Sequence, residues 1–200
     1  MKNLTRIFLL LILLCGSVLT YAQQAAESTS TSNQPVKVQG LIGAALELGG
    51  ESVAEVLFTN GDTQKMPAGQ GGTFFVGAQL SFAGMPNFRI RGSAGIKYLT
   101  TAADNAHIRL TRFPLILALN YRLAKDFTLA AGVSSHRSIN LKTDGIGQDV
   151  KFDPASGVFI EFAYKGIGLS YVPMSYTAPD GKSYKASSVG LTFTGVFPKE

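Results

Sequence analysis

From position 36 onward the chain alternates. Along 87–100, Phe88, Ile90, Ala94, Ile96 and Tyr98 share one parity, and Arg89, Arg91, Ser93 and Lys97 share the other. Along 184–197, Val189, Leu191, Phe193 and Phe197 oppose Ser188, Gly190, Thr192 and Thr194. Phe74, Val76, Leu80 and Phe82 oppose Gly77, Gln79 and Ser81, while Val158, Ile160, Phe162 and Tyr164 oppose Phe159, Glu161 and Ala163. A period of two is the strand signal, and no segment sustains a helical period. The pattern predicts eight strands, at 36–48, 72–82, 87–100, 107–122, 126–137, 155–164, 166–176 and 184–197. Most are longer than the ~5–6 residues of an ordinary globular strand and reach the ~9–11 that a tilted strand needs to cross a bilayer. The 107–122 strand changes phase around Thr111-Arg112-Phe113. A bulge there, beside Pro114, is expected to keep Arg109 and Leu115 each on a suitable face.

The connections alternate as well. Residues 83–86, 123–125 and 165–166 are tight turns, whereas 49–71, 101–106, 139–154 and 177–183 are longer. Short turns at one rim and long loops at the other are the layout of a transmembrane barrel, with both ends of the strand array on the short-turn, periplasmic side. An even number of antiparallel strands closes without an edge, which lipid demands because it offers unpaired backbone groups no water. The 49–71 loop holds its own hairpin signal, Asn60-Gly61 between the runs 55–59 and 62–66. It is read as an extracellular hairpin loop; counting its runs as barrel strands would give ten.

The apolar run at the start changes the picture of the whole. Lys2 and Arg6, the apolar stretch 7–14, and the small residues Thr20 and Ala22 form a secretory signal predicted to be cut after Ala22. Residues 23–35 are polar, Ser/Thr-rich and end in Pro35, and read as a flexible periplasmic leader before a barrel over 36–200. The single Cys, Cys15, would leave with the signal, and with it any disulfide, thiol nucleophile or Cys-based metal site. Leu14 just before it argues against lipidation. Losing Lys2 and Arg6 takes the formal net charge from +5 to +3, too weak a balance for a nucleic-acid binder. The 16% of charged residues is below the ~25% of a soluble domain, and no run approaches the ~18 apolar residues of a spanning helix.

Within the lumen, Arg89, Arg91, Lys97 and Arg109 need carboxylate partners, and Glu47 and Glu161 have the right phase. Such a network is expected to fill a narrow eight-strand lumen and leave no open pore. Phe82, Phe88, Tyr98, Tyr121, Phe127, Tyr164 and Phe197 fall near strand ends, where rings form interface girdles.

With these features in place, the chain resembles the small outer-membrane β-barrel family of the OmpA/OmpX type over about 36–197. Ser188-Val189-Gly190-Leu191-Thr192-Phe193 looks like a C-terminal signal read by the barrel assembly machinery, although Pro198-Lys199-Glu200 follow Phe197, where that family usually ends on an aromatic. The resemblance implies an all-β, closed, antiparallel up-and-down barrel in the outer membrane, surrounded by phospholipid and lipopolysaccharide and expected to be monomeric. Its role would be structural or in surface interaction, with no catalysis, cofactor or metal.

Two alternatives stand beside it. His136-Arg137-Ser138 resembles the His-x-Ser of outer-membrane lipid A deacylases, because residues two apart on a strand share a face and an imidazole could activate the hydroxyl. Ile139 stands between Ser138 and Asn140, however, and the motif lies at a loop. His107, at the loop rim, reads as solvated. A soluble lipocalin-like binder of an apolar ligand would turn its apolar face inward and usually carries an early Gly-x-Trp; this chain has no Trp. The 144–149 run is Gly-rich but reads as an ordinary turn.

Overall fold

The computed structural model describes residues 35–57, 63–103, 106–145 and 147–198. The signal segment with Cys15, nearly all of the leader, the Asn60-Gly61 turn, the His107 side chain and residues 199–200 lie outside the described residues. Thirteen strands follow one another: β1 Val36–Leu48, β2 Ser52–Leu57, β3 Thr63–Pro67, β4 Gly71–Phe82, β5 Met85–Ala103, β6 Ala106–Arg122, β7 Phe127–Lys142, β8 Val150–Phe152, β9 Ala155–Tyr164, β10 Ile167–Val172, β11 Ser175–Thr177, β12 Ser183–Lys185 and β13 Ser188–Phe197.

Eight of them close a ring. β1 pairs with β4 and β13, β4 with β5, β5 with β6, β6 with β7, β7 with β9, β9 with β10, and β10 with β13. Every pairing is antiparallel, so the ring is an up-and-down barrel without a free edge. β2 and β3 pair only with each other, as do β11 and β12, so neither hairpin enters the wall. Strand bounds at 36–48 and 155–164 coincide with the alternation.

Elsewhere the elements depart from the pattern, for identifiable reasons. The expected strand 166–176 stops as a wall strand at Val172, because Pro173 has no N–H for the ladder. Residues 175–177 pair with 183–185 instead, and the last wall strand starts at Ser188 rather than 184. β7 runs to Lys142, five residues past its expected end, and β8 pairs with its extension. The phase change lies on β7, not on β6. Between the pairs Thr111–Asn140 and Phe113–Arg137, β6 advances two residues and β7 advances three. The extra residue is accommodated where Ser138 adopts φ 47°, a left-handed conformation. β6 itself keeps even-numbered residues inward throughout, from Leu110 and Arg112 to Ala118 and Asn120.

Candidate functional site: the lumen and its loop cap

Two ion pairs stack in the lumen, each built from strands on different sides of the ring. Nearer the short turns, Arg91 of β5 reaches Glu161 of β9 at 2.9 Å. Thr192 donates to the other Glu161 oxygen at 2.8 Å, and the Arg91 guanidinium lies over the Phe159 ring at 5.5 Å. Nearer the long loops, Lys97 of β5 reaches Glu47 of β1 at 2.9 Å, and Thr73 and Ser188 donate to Glu47 at 2.7 and 3.0 Å. A buried charge is tolerable only when paired and hydrogen-bonded, and both carboxylates meet that condition. Glycines make the room. A Cβ on Gly190, which faces Glu47 across the β1–β13 ladder, would lie 2.7 Å from Glu47 Cγ. One on Gly168 would lie 3.0 Å from Glu161 Cγ.

Above these pairs, the end of β3 and the β3–β4 connection turn into the barrel mouth. Met66 and Ala68 are wholly buried. Lys97 Nζ donates to the Gly69 carbonyl at 2.7 Å, and the fully buried Arg112 donates to the carbonyls of Ala68 and Gln70, the latter at 2.7 Å. Two lumen cations thus hold three consecutive backbone carbonyls of a loop, charge-assisted bonds of the stronger kind. Gly69 is required there, since a Cβ would come within 2.4 Å of the Ser187 carbonyl oxygen. Met66, Ile139, Leu141, Phe152, Met174 and Tyr176 pack together over the mouth, so the loops carry their own apolar core. His136 Nδ1 and Tyr176 Oη are 2.6 Å apart beneath it, and burial raises the Tyr176 phenol above its ordinary pKa. The loops are also tied to each other: Glu51 N donates to the Lys185 carbonyl at 2.7 Å, and Lys185 N to Glu51 Oε2 at 2.9 Å. Beside the two ion pairs remains a cavity of about 40 Å³, lined by Ser134, His136, Glu47, Arg91 and Glu161 among others. That is room for a water or two, and Ser134 Oγ faces it without a protein partner.

The residues expected in the lumen are thus partly brought together. Glu47, Arg91, Lys97 and Glu161 form the two pairs, and half-buried Arg89 lies further toward the short turns. Arg109 does not join them. With no bulge on β6, odd residues face outward, and Arg109 stands exposed opposite Lys142. Arg112 takes the inward place that the sequence reading missed; an uninterrupted period through 110, 112, 116 and 118 was the signal for it. His136 and Ser138 do not form a dyad either. His136 faces inward in regular alternation, 4% exposed and bound to Tyr176, whereas the β7 bulge leaves Ser138 outward and exposed.

The outer face is apolar. Val38, Ile42, Phe74, Val76, Ile90, Ile96, Leu115, Leu117, Leu119, Val133, Ile160 and Leu191 are all exposed there. The aromatic side chains mark its edges. Phe88 and Tyr121 are 4.8 Å apart, and Phe127 and Tyr164 4.7 Å apart, at the short-turn rim together with Phe197; Phe82 is half-buried at the same rim. Tyr98 lies at the opposite edge. No helix among the described residues is long and apolar enough to cross a membrane, whereas this strand face is a continuous apolar girdle. A closed ring of eight antiparallel strands, polar within and apolar without, is an outer-membrane β-barrel of the small, eight-stranded type.

No protein-family model matches the sequence, and no curated protein is similar to it. Among solved structures, the chain is similar to the crystal structure of Ail, the attachment invasion locus protein of Yersinia pestis, with a TM-score of 0.43 and 12% identity over 82% of this chain and 100% of that one. Ail in complex with the heparin analogue sucrose octasulfate matches at the same TM-score of 0.43 and 12% identity, over 81% of this chain and 100% of that one. The outer membrane channel DcaP of Acinetobacter baumannii gives a TM-score of 0.22 and 10% identity, over 81% of this chain and 97% of that one.

Proposed function

We propose that this barrel serves a structural or surface-interaction role in the outer membrane and conducts nothing through its lumen. The observation that carries the reading is the seating of Ala68, Gly69 and Gln70 in the mouth by Lys97 and Arg112, above two ion pairs. In this reading the signal over 1–22 is removed, the leader over 23–35 lies in the periplasm, and the long loops with the 49–71 hairpin face outward. The aromatic rings anchor the rims against phospholipid and lipopolysaccharide, the barrel assembly machinery inserts the chain, and it works as a monomer without catalysis. The hydrolase reading loses its support with His136 and Ser138 on opposite faces. The lipocalin reading loses its support with the apolar face turned outward.

The test is conductance in planar bilayers. The wild-type barrel is expected to give no stable channel current. Removing both latching cations, Lys97→Ala with Arg112→Ala, is expected to free the loop and produce flickering openings. A steady wild-type current abolished by adding bulk to the lumen would overturn the proposal.

A further inference from the structure

The outer wall changes character toward the long loops, and on one side only. On β6 the outward residues run Leu119, Leu117, Leu115 and Phe113, then Thr111 and Arg109. On β7 they run Leu129, Ala131 and Val133, then Ser135, Arg137, Ser138, Asn140 and Lys142. β8 adds Lys151, the partner of Asn140. Arg109, Arg137, Lys142 and Lys151 are all exposed. The switch from apolar to basic falls on neighbouring rungs of adjacent strands, just past Phe113, where the girdle ends and lipid headgroups begin. At the long-loop ends of β1, β10 and β13, by contrast, the outward residues are Leu48, Tyr171 and Val189.

These cations face one another rather than acids. Arg109 and Lys142 are direct partners across the β6–β7 ladder, where like charges repel. Lys151 is the diagonal neighbour of Lys142, a spacing of ~7–8 Å. Among the described residues, none of the four forms an ion pair or donates a side-chain hydrogen bond. The nearest acids in the chain are Asp144, Asp149 and Asp153, and none stands on the rungs that carry the cations. Asp149 turns its Oδ1 to the Thr143 amide and hydroxyl, at 2.9 and 3.3 Å. Asp144 lies in the turn beyond β7, and Asp153 starts toward the β11–β12 hairpin, its amide on the Thr177 carbonyl at 2.9 Å. An anion seated between Arg109 and Lys142 turns their repulsion into two attractions, and the arginine fork matches phosphate geometry. A phosphomonoester, with close to two charges, suits such a cluster better than a phosphodiester with one. Continuity with the lipid-facing girdle places the site at headgroup depth, so the phosphate belongs to a lipid. We infer that the outer face of β6, β7 and β8 binds a phosphomonoester of the lipopolysaccharide lipid anchor, between Arg109 and Lys142 and flanked by Arg137 and Lys151. This rests on the reading that the long loops face outward, which puts the sector in the outer leaflet.

The test places the full barrel in phosphatidylcholine nanodiscs carrying a rising fraction of bisphosphorylated lipid A in both leaflets. A chelator removes divalent bridges, and amide shifts are read by NMR. The Asn140 side-chain amide and the Thr111 backbone amide are expected to move saturably, while the Leu48 and Val189 amides across the barrel stay still. Arg109→Gln with Lys142→Gln is expected to weaken binding about tenfold or more, as for loss of charge-assisted contacts. Should that variant not insert, Arg137→Gln with Lys151→Gln, read at Thr111, is expected to weaken it likewise. Lipid A stripped of its phosphates is expected to give no shift. Shifts of equal size from the stripped lipid, or equal saturation by phosphatidylglycerol or by inorganic phosphate, overturn the inference. So do an absence of shift at Asn140 and Thr111, and unchanged affinity in a folded variant. Because both leaflets carry the lipid, the result does not depend on orientation or on conductance. A barrel that stays closed and binds no lipid A overturns this site alone, and one that conducts yet binds overturns the closed-lumen reading alone.

Discussion

Glu47 shows what a single lumen charge requires. Its carboxylate receives Lys97, Thr73 and Ser188, and the space for it exists because residue 190 is glycine. Lys97→Met would leave a buried carboxylate with two hydroxyl donors and no counter-charge. Removing one partner of a buried pair costs about 3–5 kcal/mol, more than the pair itself contributes, because the remaining charge is uncompensated. Adding Glu47→Gln to the same chain is expected to recover much of that loss, since the amide carries no charge and keeps an acceptor for Thr73. Urea unfolding from lipid vesicles, analysed as a double-mutant cycle, measures both effects. A single variant within about 0.5 kcal/mol of wild type would mean that Lys97 is not the partner on which Glu47 depends. Both members of this pair, and of Arg91–Glu161, were legible in the sequence, because each lies on a strand with unbroken alternation. Arg112 was not, because the apparent phase change at Thr111-Arg112-Phe113 reads as a bulge on its own strand, whereas the extra residue lies on β7.

At the scale of elements, one residue decides the face of half a strand. Below the β7 bulge the inward residues are even, at Ala130, Ser134 and His136; above it they are odd, at Ile139, Leu141 and Thr143. Ser138→Val penalises the left-handed conformation that holds the bulge, and a regular strand that keeps residue 138 would turn Ile139 and Leu141 out of the cap core. The lower barrel keeps its register, so the expected result is a folded, heat-modifiable barrel whose loops are cut by protease faster than in wild type. Loops as resistant as wild type's would show that the cap does not depend on this phase. The same reasoning explains what sequence alone could and could not show. Strands 36–48 and 155–164 read correctly because alternation is local. β8, the β11–β12 hairpin and the buried Met66–Gln70 turn owe their places to partners far away in the chain, such as Glu51 with Lys185, and no local period encodes those.

For the whole molecule, the decisive quantity is what the outer face touches. From Phe88 to Tyr98, ten residues along β5 at about 3.4 Å each span about 34 Å; a tilt of about 40° reduces that to about 26 Å along the barrel axis. This matches the ~25 Å apolar band of an outer-membrane barrel. Leu117 lies midway between Phe113 and Tyr121 on β6 and is 57% exposed; Leu123, in the short turn beyond Tyr121, is 52% exposed. Their exposures are so close that water would treat the two alike, and an arginine at either would be nearly neutral in a soluble barrel. Lipid distinguishes them by depth. Leu117→Arg is expected to cost about 2–4 kcal/mol in vesicles and Leu123→Arg about 0–1 kcal/mol. Equal, small effects measured by denaturant unfolding would mean that this face meets water. A depth-dependent difference would show that the girdle of leucines, valines and isoleucines is the surface by which the membrane holds the barrel.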